Sequence, residues 1–153
     1  MAMHTWFECK IRYEKTMENG MQKKVTEPYL VDALSFTEAE ARIIEEMTPF
    51  ITGEFTVSDI KRANYSELFP SDEESADRWF KCKLIFITLD EKSGAEKKTS
   101  TQVLVQAADL RDAVKKLDEG MKGTMADYQI GMVSETPLMD VYPYSAEPND
   151  KPE

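Results

Sequence analysis

From residue 6 the chain alternates between apolar and polar positions. Phe7, Cys9, Ile11 and Tyr13 fall on one side of an extended segment; Trp6, Glu8, Lys10 and Arg12 fall on the other. Asn19-Gly20 predicts a hairpin turn. The returning strand, about residues 23–33, carries Tyr29, Val31 and Ala33. Ser35-Phe36-Thr37-Glu38 has the form of a capping box, and Phe36, Ala39, Ile43 and Met47 follow with helical spacing. That helix should stop before Pro49, with Gly53 leading into a third strand through Phe55 and Val57.

The same order returns further along. Trp6-Phe7-Glu8-Cys9-Lys10 recurs as Trp79-Phe80-Lys81-Cys82-Lys83, an offset of 73 residues. Leu30-Val31-Asp32-Ala33 matches Leu104-Val105-Gln106-Ala107 at 74, and Leu68-Phe69-Pro70 matches Val141-Tyr142-Pro143 at 73. A drift of one residue suits an insertion in one hairpin loop. In the second copy Phe80, Cys82, Leu84 and Phe86 share a face, and Ser93-Gly94 lies in the turn. Val103, Val105 and Ala107 return, Asp109 takes the cap position, and Leu110, Ala113, Leu117 and Met121 repeat the helical spacing. Tyr128, Ile130 and Met132 open the third strand.

These patterns predict an α+β fold built by tandem duplication of a β-β-α-β(-β) unit. It would comprise two antiparallel sheets with one helix each, related by a pseudo-twofold axis. The first repeat covers residues 1–70, an acidic connector 71–77, the second repeat 78–144, and a tail of disordered composition 145–153. A copy of this size buries only a modest core, which favours a core shared by both copies.

Composition then narrows the chemistry. With 41% hydrophobic and 31% charged residues in 153, the chain is ordinary globular material, and no apolar run approaches membrane-spanning length. The first residues lack the basic and apolar regions of a secretory signal, so a cytoplasmic protein is expected. A single histidine, His4, and two cysteines, Cys9 and Cys82, leave little for a nucleophilic triad or a thiolate zinc site. No glycine-rich phosphate-binding motif is present. The expectation is a protein that is not an enzyme and holds no cofactor or metal, with both cysteines serving as small buried hydrophobes.

The net charge of −10 argues against a polyanion as partner, but its distribution is uneven. Acidic residues gather in the connector, the first helix and the tail, while the polar strand faces keep cations. Those faces carry Trp6, Lys10 and Arg12 in one copy. In the other they carry Trp79, Lys81 and Lys83, with Gln102 and Gln106 from the adjacent strand. Indoles beside cations on an open sheet suit single-stranded DNA or RNA, where bases stack and cations follow phosphates. These eight residues are the candidate binding site. The alternative is a protein-interaction or structural module using the same face, for which Ile85, Ile87 and the nine methionines speak. A partner chain or a second copy would then occupy it.

The W-F-x-C-K start, the S-F-T-E-A-E-A-R helix opening and the closing D-V-Y-P-Y resemble an uncharacterised domain family of gut Bacteroidetes and their phages. The likeness spans roughly residues 6–144. It implies a phage or mobile-element setting, for instance as modulator of a host protein, and brings no catalytic residues. From residue 54 the order strand, strand, strand, strand, helix, ending near 122, is similar to the repeat of Whirly and positive-cofactor-four proteins in circularly permuted frame. That likeness implies binding of single-stranded DNA on exposed sheets.

Overall fold

A computed structural model describes residues 5–143. The predicted tail, and the N-terminal stretch holding His4, lie outside the described residues. The chain forms β1 (Thr5–Thr16), β2 (Gln22–Ala33), α1 (Phe36–Met47), β3 (Phe55–Ala63) and β4 (Glu67–Phe69). It continues with β5 (Arg78–Leu89), β6 (Glu96–Ala107), α2 (Leu110–Gly120), β7 (Asp127–Glu135) and β8 (Asp140–Tyr142). The architecture is α+β, with two helices and two four-stranded sheets among the described residues.

Two compact units account for the described residues. One holds 5–64 and 138–143, the other 65–137. In the first unit the sheet order is β3-β1-β2-β8. Strands β1 and β2 pair antiparallel from Thr5↔Ala33 to Thr16↔Gln22 around the turn at Asn19 and Gly20, whose φ is +84°. Helix α1 lies on one face of this sheet. Its Ala39, Ile43 and Met47 pack onto Phe7, Cys9, Ile11, Val31 and Ala33. Phe36, expected with that row, is 43% exposed because it opens the helix; its ring meets Phe7 edge-on at 4.9 Å.

The second unit orders its sheet β4-β6-β5-β7. Strands β5 and β6 pair from Arg78↔Ala107 to Leu89↔Glu96, leaving a loop at 90–95 one residue longer than the loop at 17–21. Leu117 and Met121 at the end of α2 pack onto Cys82, Leu84, Val103 and Val105. Ala113 sits with Phe80 and Ala107. Gly120 stands in close approach to β4: a Cβ there would lie 2.9 Å from the Phe69 ring, which would have to shift.

Two expectations are corrected. The sheets are mixed, because β8 runs parallel to β2 and β4 runs parallel to β6. Each is a three-residue strand reached by an open connection rather than by a hairpin, and hairpins alone enforce antiparallel neighbours. The alternation Tyr128, Ile130, Met132 also fails to continue. Beyond Ile130 the register with β5 shifts by one, so Met132 turns out to 42% exposure and Val133 packs on the core. Strand β3 has the same irregularity between the partners of Lys10 and Ile11, which brings Ile60 rather than Asp59 onto the core face.

Candidate nucleic-acid interface

The helix-free face of the first unit collects Trp6, Lys10 and Arg12 on one strand, where every second residue, about 7 Å along, returns to the same face. Trp6 is half-buried between Asp32 and Ala63 of the flanking strands. Arg12 is exposed and lies between Thr26 of β2 and Thr56 of β3, with Lys24 opposite Glu14 further along the hairpin. These side chains line a recess that the Thr52-Gly53-Glu54 loop rims. Lys24, Thr26 and Thr56 were not singled out from sequence. The Asn19-Gly20 turn could have exposed the first two, since hairpin register sets which residues oppose Arg12 and Glu14.

In the second unit β5 places Lys81 and Lys83 on the helix-free face, with Gln102 directly opposite Lys83 and Gln106 opposite Trp79. The Trp79 indole is only 5% exposed, and Leu104, opposite Lys81, is fully buried. Leu30 and Val141, at 0% and 9%, close the corresponding part of the first unit's face. The centre of each helix-free face is thus covered, and its open part begins toward the hairpin end. Gln106 accepts the Ser71 N–H through Oε1 at 2.9 Å, which ties its amide to the connector. The Gln102 carbonyl accepts the Ser66 N–H at 2.8 Å and the Ser66 hydroxyl at 3.1 Å.

Among the described residues, Lys10, Arg12, Lys81 and Lys83 form no ion pair. By contrast Lys116 is held by Glu73 at 2.7 Å, Asp112 at 2.9 Å and the Ser71 hydroxyl at 3.1 Å. This clamp fastens the acidic connector to α2, and Ala76 in the connector is itself buried.

Neither thiol is poised for chemistry. Burial pushes Cys9 up to about 12, helped by the carboxylates of Glu8, Asp59 and Glu40, and burial alone pushes Cys82 up to about 11. Glu27 accepts the phenol protons of Tyr13 at 2.9 Å and Tyr29 at 3.2 Å, and burial raises both phenols. Among the described residues no three histidine, cysteine, aspartate or glutamate side chains converge as a metal site would require. No helix among them is long and apolar enough to cross a membrane.

The profile of DUF4494, a domain of unknown function, matches residues 5–144. The chain belongs to this family. No curated protein matches the chain. The DUF4494 match runs from the first residue of β1 to just past β8, so it takes in both sheets and every candidate residue.

Proposed function

We propose that this DUF4494 chain is a non-enzymatic module that binds single-stranded nucleic acid, and that its two units arose by tandem duplication. The duplication is supported by the matching strand orders, by the paired strand irregularities opposite Lys10 and Lys83, and by the one-residue difference between the hairpin loops. The observation that carries the binding reading is the set Lys10, Arg12, Lys81 and Lys83. These cations stand on helix-free strand faces and form no ion pair among the described residues, in a chain of net charge −10. Cations without an ion pair at alternate strand residues suit a phosphate backbone. With Trp79 buried, binding is mainly to phosphates, and Trp6 is the one candidate indole partly open to a base.

The test is fluorescence anisotropy of labelled oligo-dT as salt is raised. Binding should weaken with log salt, and the slope should shrink by about 0.7 for each phosphate left unneutralised in Arg12→Ala or Lys83→Ala. Absence of binding at about 50 µM oligonucleotide in about 50 mM salt refutes the reading. A protein-interaction module is the second reading, favoured by the apolar flank of α1. There Phe36 and Ile44 are 43% and 41% exposed beside Glu40 and Glu45, and Phe50 beyond the helix is 75% exposed. A single stoichiometric protein partner, retained after nuclease treatment, would support it.

A further inference from the structure

Strands β3 and β7 are the long outer strands of their sheets. An outer strand leaves one row of backbone N–H and C=O groups open to pair with another strand. Natural sheets guard such rows with charge, and here the two edges differ. Opposite Lys10, β3 carries Asp59, followed by Lys61 and Arg62. Opposite Lys83, β7 carries Met132, and no charged residue lies between Asp127 and Glu135. Both strands share the register irregularity, so the missing charge is what separates them. The Thr136 N–H donates to the Trp79 carbonyl at 2.9 Å, and strand alternation then turns the backbone of Val133 and Glu135 toward the open side.

We propose that the β7 edge docks an extended segment of a partner protein, uncharged in its middle and carrying lysine or arginine at its ends. The edge dictates a strand, because only a strand satisfies its row of donors and acceptors. The uncharged stretch 128–134 gives no partner to a buried charge, so the middle of the segment must be uncharged. Carboxylates bound that stretch on both sides. Asp127 forms no ion pair among the described residues, and Glu135 meets only Arg78, at 3.6 Å with both side chains half exposed. Self-pairing is disfavoured by the same feature. Pairing of two copies would bring together two such acid-bounded edges, on chains of net charge −10.

A random peptide library panned on the full chain tests this surface separately from the nucleic-acid reading. Selected peptides should share uncharged centres and basic ends, and should slow amide exchange at Val133 and Glu135. Met132→Asp, which gives β7 the carboxylate that β3 has at the matching register, should weaken them about tenfold or more. Gln129→Asp, at an exposed neighbouring position, provides a second variant should Met132→Asp not fold. The proposal is overturned by no enriched strand, by enrichment that neither variant reduces, or by protection that falls outside β7. It is also overturned by a concentration-dependent dimer that Met132→Asp dissociates, which would give the edge to a second copy.

Discussion

Among single residues the clearest signals are those whose role depends on near neighbours in sequence. Cys9 and Cys82 sit at alternating apolar positions of their strands, and both are fully buried. Their thiols, raised from the usual 9.0 to about 12 and about 11, make the fold sensitive to alkali. A group that holds its proton more tightly when folded contributes stability in full below its unfolded pKa. That contribution is lost as pH rises through the folded value. Urea unfolding should therefore show stability declining from about pH 9 upward, by at most about 1.4 kcal/mol per thiol per pH unit, with a shallower decline in Cys9→Ala and in Cys82→Ala. The tryptophans teach the opposite lesson. Alternation put Trp6 and Trp79 on equivalent faces, but the burial of one and the half-burial of the other depend on packing across strands, which no local pattern records.

At the level of helices and strands, both helices begin as their sequences announce. The Ser35 hydroxyl accepts the Glu38 N–H at 3.1 Å while Glu38 accepts the Leu34 N–H at 2.7 Å. Asp109 accepts the Asp112 N–H at 2.8 Å, and Asp112 accepts the Ala108 N–H at 3.0 Å. Such reciprocal caps satisfy donors that a helix start otherwise leaves open. Ser35→Ala should cost about 1 kcal/mol, read from the urea midpoint at unchanged m-value. Strands were legible where hairpins set their register and less so where a register shift inverted the faces. Gly131 marks the shift in β7 and could have warned of it, whereas Ser58 in β3 carries no such mark.

For the molecule as a whole, β4 and β8 reveal how the chain is closed. Strand β8 comes from late in the chain yet completes the first unit's sheet, with Leu138 and Val141 buried and Tyr142 stacked on Tyr29 at 6.1 Å. Arg42 reinforces it, donating to the Pro143 carbonyl at 3.0 Å and to the Asp32 carbonyl. Ending the chain at Pro137 should cost about 3 kcal/mol or more, since each buried apolar side chain is worth roughly 1.5–3 kcal/mol. Hydrogen exchange should then show protection falling in β2 but not in β6. Residue order alone was enough to give the elements, the caps, the helix-packed faces of the hairpin strands and the recurrence of one pattern. Each of these follows from backbone periodicity and from hydrogen bonds within a few residues. It took the folded chain to establish that the two short strands lie parallel to β2 and β6, that the centres of the helix-free faces are covered, and that β7 is an outer strand. Those outcomes rest on meetings between segments far apart in the chain, and alternation along one strand records which way a side chain points but not what comes to meet it.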